Sequence, residues 1–153
     1  MPLADLAGAV LMAPHWAEAY VGRAYVEGEH DCADFVVAVL RERFGRALAL
    51  PAHAASVRGW DAQIVALKGE VALPTISPQE GDGVLMRSAA RRRSIGHHIG
   101  VWCAVAGEPY VLHCLKGVGS IFHPIRDLRS KALALEGVYR WLPPSSSEAV
   151  GRT

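Results

Sequence analysis

The hydrophobic pattern of this chain changes period once, and that change limits the folds open to it. In the first part of the chain, apolar residues recur at helical spacing, most clearly over residues 32–43. Pro74, Pro78, Gly81 and Gly83 then crowd into a turn-rich stretch. Beyond it come short apolar runs bounded by turn residues, at 84–86, 99–105, 110–115, 120–124 and 138–142, and these read as strands. Helices first and a meander of strands after predict an α+β domain. With 153 residues the chain is long enough for one core without disulfides or metals. Residues 1–142 are expected to form that single domain. Residues 143–153, rich in Ser and Pro, are expected to be a disordered tail.

The strongest helix lies at 32–43, where Phe35, Val36, Val39, Leu40 and Arg43 share one face. Asp31 is a good N-cap just before it. Arg41 and Arg43 suit the negative end of the helix dipole, and Gly45 follows as a C-terminal cap. Weaker helices are expected at 5–12, at 15–20 and at 54–67, with a loop between Gly22 and His30.

Composition excludes more than it assigns. A formal net charge of +1 gives no bulk attraction to nucleic acid or to a membrane surface. The one dense basic run, Arg91-Arg92-Arg93, reads as a solvated loop. No stretch approaches the roughly 18 consecutive apolar residues of a membrane span, so no membrane insertion is expected. The apolar N-terminus carries Asp5 and lacks a basic leading region, a poor match to a secretory signal. Synthesis in the cytoplasm is the expectation. Three cysteines, Cys32, Cys103 and Cys114, are an odd and widely spaced set, unlike a disulfide framework. Cys103 and Cys114 lie in strand-like runs, where a free cysteine packs as a small hydrophobe; the alternative is that the two pair across a hairpin.

Cys32 is placed differently, at the first turn of the best helix. A cysteine nucleophile acts as its thiolate, and unpaired N–H groups at a helix start favour negative charge there. The position is therefore expected to lower the Cys32 pKa. An imidazole within reach takes the thiol proton and later protonates the leaving amine. His98 and His113 both fall in expected strands, which hold side chains rigidly.

Four segments in order resemble the NlpC-type cell-wall peptidases, a family of papain-like cysteine hydrolases. YVGRAYVEGEHDCADFV resembles the nucleophile motif, in which an aromatic-containing loop leads to Asp-Cys opening an apolar helix. GDGVLM resembles the Gly-Asp turn into the first strand. HHIGVW resembles the strand of the catalytic histidine, and YVLHCLKGVG the strand that carries a third polar residue to orient it. The resemblance is read through residues 16–142, with the quoted pieces falling between residues 20 and 119. The resemblance implies a papain-like fold with N-terminal helices on a small antiparallel sheet. It implies Cys32 as nucleophile, His98 as general base and His113 as orienting residue. It also implies a Cys32 N–H in the oxyanion site, helped by the Tyr25 hydroxyl. Asp31 matches an acidic residue that caps the helix, contacts a substrate amine, or does both. The implied reaction is hydrolysis of peptide amides in bacterial peptidoglycan, such as a γ-D-glutamyl–diamino acid bond, with no cofactor and no metal.

Two departures stand out. Ala33-Asp34-Phe35 replaces the common Ser-Gly-Leu after the cysteine, and Ala24 stands where a proline is frequent. Both resemble the phage-tail branch of the family. A tail or tail-like particle, with tail proteins as partners and wall stem peptides as substrate, reconciles cytoplasmic synthesis with an extracytoplasmic target.

The histidine pair poses a geometric question. If the hairpin loop covers residues 106–109, Val105 opposes Tyr110, and His98 and His113 share a face. They then lie four residues out of opposition, roughly 13 Å, so a longer loop, a bulge or strong twist is needed. His97, facing with Ile99, Val101 and Cys103, competes for the role of base. Other readings are a zinc site drawn from His97, His98, His113, Cys114 and His123, a non-catalytic binding or tail module, and a thiol acyltransferase or thioesterase. No CxxC or HExxH spacing supports the zinc site. The chain order Cys, His, His favours the peptidase over the acyltransferase.

Overall fold

The structure is a computed structural model, and it describes residues 14–48, 68–89 and 96–143. The helices expected at 5–12 and 54–67, the triple-arginine run and the tail beyond Pro143 lie outside the described residues. A 3-10 segment, Trp16–Tyr20, precedes helix α1, Cys32–Phe44. Six strands follow: β1 Ala72–Pro74, β2 Gly83–Ser88, β3 His97–Val105, β4 Glu108–Leu115, β5 Gly119–Pro124 and β6 Leu133–Trp141. A second 3-10 segment, Ile125–Lys131, joins β5 to β6.

The strands form one antiparallel sheet in the order β1-β6-β2-β3-β4-β5. Strands β2 to β5 run as a meander, and β6 returns to pair with the free edge of β2. The domain is α+β, as the change of period predicts. The expected strands are present, but β6 begins at Leu133 rather than 138, and β1 and the second 3-10 segment were not anticipated. The first half of β6 reads Leu-Ala-Leu-Glu-Gly, with little intrinsic strand preference. Pairing with β2, through an irregularity at Leu85/Met86, makes it a strand.

Helix α1 packs on β3 and β4. Phe35, Val36, Val39 and Leu40 are buried against Leu85, Ile99, Val101, Cys103, Leu112 and Cys114. Removing Leu40 or Val39 from water stabilises the fold by about 1.5–3 kcal/mol each. The other face of the sheet holds a second cluster, Val84, Met86, Val111, Leu128 and Leu133. Leu128 comes from the second 3-10 segment, which therefore covers that face.

The β3–β4 turn is shorter than expected. Val105 opposes Glu108, so the loop is Ala106-Gly107 alone. Both residues have positive φ, 51° and 79°, as a two-residue turn of the I′ type demands. Tyr110 consequently opposes Cys103, not Val105, and the register of the whole hairpin moves by two residues.

Candidate active site

Cys32 is the first residue of α1, and the structure explains why the helix starts there. Asp31 is extended and accepts hydrogen bonds from the N–H groups of Ala33 and Asp34, both at 2.9 Å. The Asp34 carboxylate accepts in turn from the Asp31 N–H at 3.2 Å, closing a capping box. Asp34 thus has a local use at the position where the sequence departs from Ser-Gly-Leu. Asp31 is 1% exposed, and its visible role is the cap. Gly45 closes the helix in the left-handed conformation, φ 61°.

The thiol of Cys32 is buried. Burial pushes its pKa up to about 12, and the Asp31 carboxylate and Cys114 add to the rise. Backbone N–H groups of Ile99 and Ala33 oppose that shift but do not offset it. This corrects the expectation of an acidic thiol at the helix start. The N-terminal N–H groups favour the thiolate, but desolvation in the core costs more. Cys32 rests as a neutral thiol.

The histidines are arranged as a chain of rings. His98 Nε2 lies 2.7 Å from His113 Nδ1. His113 Nε2 lies 2.8 Å from His123 Nε2, and His123 Nδ1 lies 2.8 Å from the carbonyl oxygen of Pro124. The shortened turn makes the first contact possible. Continuing the register from Val101↔Leu112 sets His113 opposite Gly100, two residues from opposition to His98, rather than four. Diagonal neighbours at that offset are about 7–8 Å apart at the backbone, within reach of two imidazoles. A tighter loop, not a longer one, resolves the distance. The same offset recurs on the next pair, where Val111↔His123 sets His123 diagonal to His113. Sequence alone gives His123 a place only in the zinc alternative. A histidine of matching parity on each of three consecutive strands was the signal that could have assigned it to this chain.

Gly100 is required where it stands. A Cβ there would lie 2.8 Å from Val111 Cγ2, 2.9 Å from His113 Cβ and 2.9 Å from the Leu112 carbonyl oxygen. All three rings are held neutral by burial: the His98 pKa falls to about 4, that of His113 falls well below the usual imidazole range, and that of His123 falls. Neighbouring histidines and Lys131 push His113 further down.

The thiol and the histidine chain meet β3 at adjacent residues. The sulfur faces the Ile99 N–H, and the β3–β4 ladder ends at Val101↔Leu112 although both strands continue past it. Alternation sends Ile99, Val101 and Cys103 into the helix-side core, while His98 opposes Met86 of the second cluster. No hydrogen bond joins the Cys32 thiol to the His98 ring among the described residues. His97 is drawn elsewhere, with Nε2 2.7 Å from Glu136, which also binds Lys68 at 2.8 Å. His98 is therefore the histidine brought to His113.

Tyr25 packs beside the helix start, half-buried. Burial, with Cys32 and Asp31 nearby, pushes its pKa up to about 12, so its hydroxyl keeps its proton. Its loop is tied to β5 through Ser120, whose Oγ accepts from Arg23 N at 2.7 Å and donates to the Tyr20 carbonyl at 2.6 Å. A cavity of about 340 Å³ opens next to this loop, lined by Arg23, Val26, His30, Asp34, Phe35 and Cys114 among others. Cys32 itself does not line it. Among the described residues no group of three or more His, Cys, Asp or Glu side chains is placed to hold a metal ion, and none of the described helices is long and apolar enough to cross a membrane. Cys103 and Cys114 are buried free thiols. No protein-family model matches the chain, and no curated protein matches it.

Proposed function

We propose that the chain is a papain-like cysteine hydrolase that cleaves amide bonds in the peptide part of bacterial peptidoglycan. The observation that carries this reading is the ring-to-ring bond from His98 to His113, beginning one residue from the backbone N–H that faces the Cys32 sulfur. In the proposed reaction His98 Nδ1, the nitrogen not engaged by His113, takes the Cys32 proton as the sulfur attacks the scissile carbonyl. The Cys32 N–H and the Tyr25 hydroxyl donate to the oxyanion. Collapse breaks the C–N bond, the imidazolium protonates the leaving amine, and a thioester remains. Water, deprotonated by the same nitrogen, then attacks the thioester; the C–S bond breaks, the acid product leaves, and the imidazolium returns its proton to the Cys32 sulfur. The reaction requires the thiol and the His98 ring to meet in the substrate complex, where catalytic hydrogen bonds commonly tighten.

The resemblance to NlpC-type peptidases supports a wall peptide, such as one containing a γ-D-glutamyl–diamino acid bond. The Ala33-Asp34-Phe35 sequence supports action from a phage tail or tail-like particle, with tail proteins as partners and no cofactor.

One finding favours a second reading. A buried neutral thiol with no bond to His98 suits a wall-binding or tail module on the same fold. Mass spectrometry of fragments released from purified peptidoglycan separates the two. The hydrolase releases peptide fragments with new termini, and Cys32→Ser and His98→Ala release none. Binding of wall material by the wild-type chain without any release supports the module.

A further inference from the structure

We propose that His123 is a positioning residue: anchored on the Pro124 carbonyl, it fixes the tautomer of all three rings and leaves the lone pair of His98 on Nδ1, where the Cys32 proton is to go. The inference rests on the hydrolase reading for its consequence, but not for its geometry.

The chain has a direction because one end of it is a carbonyl. An oxygen of that kind only accepts, so His123 Nδ1, 2.8 Å away, carries the hydrogen. A neutral imidazole has one N–H, which makes His123 Nε2 an acceptor. The 2.8 Å contact between the Nε2 atoms of His113 and His123 then needs a hydrogen from His113. His113 Nδ1 becomes the acceptor, and His98 Nε2 donates to it at 2.7 Å. His98 has no further hydrogen, so its Nδ1 is unprotonated. Each step follows from counting protons on neutral rings, and burial keeps the rings neutral. Reversing the direction requires a proton on both nitrogens of His123.

This places His123 outside contact with the reacting atoms and yet in control of them. Without it, His113 can hold its hydrogen on either nitrogen. In the form with Nδ1–H, His113 no longer accepts from His98, and His98 is free to carry its own hydrogen on Nδ1. That fraction of molecules has no base.

The test is two-bond 1H–15N correlation NMR on the full chain, labelled with 15N-histidine, near neutral pH. His98 and His113 are expected as Nε2–H tautomers and His123 as Nδ1–H. His113 found as Nδ1–H overturns the inference. In His123→Phe, His98 and His113 are expected to lose their single tautomers. On a soluble wall-peptide substrate kcat is expected to fall about tenfold while KM changes less than twofold. His123→Gln, whose amide oxygen accepts from His113, is expected to recover most of the rate. His123→Phe with unchanged tautomers and unchanged kcat also overturns it. The wild-type spectrum decides the point even if the Phe variant does not fold. Because the tautomers are read without substrate, an inactive chain with the expected spectrum refutes the hydrolase reading alone.

Discussion

His98 and His113 are joined ring to ring at 2.7 Å, and the hairpin register, continued one pair past Val101↔Leu112, sets a glycine, Gly100, against His113. The two facts are linked. A methyl group at Gly100 meets the Cβ of His113 and the carbonyl of Leu112, each at 2.9 Å, and neither can move without shifting β4.

Gly100→Ala is therefore expected to destabilise the fold by about 1–3 kcal/mol, the range for overpacking a close-packed site. That corresponds to a fall in Tm of roughly 2–4 °C per kcal/mol for a chain of this size. Hydrolysis is expected to fall as well, because His113 is pushed from His98. Thermal unfolding and peptide release measured on the same preparation check both. Wild-type stability in Gly100→Ala contradicts the tight register described above.

Stability is expected to fall on acidification. The His98 pKa drops from an ordinary 6.5 to about 4 on folding, so between those values the unfolded chain binds more protons than the folded one. Unfolding free energy then rises with pH across this window. The contribution is fully present above about pH 6.5 and is lost as pH falls toward 4. For His98 alone it is on the order of 3 kcal/mol, and His113 and His123 shift in the same direction. Urea denaturation at a series of pH values from 8 to 4 measures it. A flat profile contradicts the buried neutral chain of rings.

Thiol chemistry reports the resting state of Cys32. With its pKa pushed up to about 12, the rate of alkylation at Cys32 is expected to rise about tenfold per pH unit from 7 to 10. A preformed thiolate–imidazolium pair gives instead a rate nearly independent of pH between 5 and 8. Peptide mapping after iodoacetamide treatment distinguishes Cys32 from Cys103 and Cys114.

Asp31 separates two effects of one side chain. Asp31→Ala removes the cap and is expected to cost about 0.5–2 kcal/mol. Asp31→Asn keeps an accepting oxygen and removes the charge. It is expected to stay close to wild type in stability, and its thiol is expected to become more acidic, because the Asp31 carboxylate raises the Cys32 pKa. Denaturant unfolding and the alkylation profile of each variant read these out.

The helix was legible in the sequence because its signals are local. Asp31 before it, the apolar spacing of Phe35, Val36, Val39 and Leu40, and Gly45 after it all act within a turn or two. The strands with alternating apolar residues were legible for the same reason. The hairpin register was not, because it depends on whether Ala106 accepts a positive φ, and alanine gives no warning of that. The start of β6 was hidden because its partner β2 is distant in sequence. At the candidate site, the shared face of His98 and His113 was readable from strand parity. The raised pKa of Cys32 was not legible, because it comes from burial in the core cluster formed with residues of distant strands, and sequence next to the helix start shows only the favourable helix N–H groups.

Covalent capture addresses the role of Cys32 most directly. The full chain is mixed with a wall peptide, quenched in acid within its turnover time, and examined by intact-mass and fragment mass spectrometry. An added mass equal to the acyl part of the peptide, located on Cys32 and absent from Cys32→Ser, is the expected result. Peptide cleavage that proceeds with no acyl group on Cys32, or unchanged in Cys32→Ser, contradicts it.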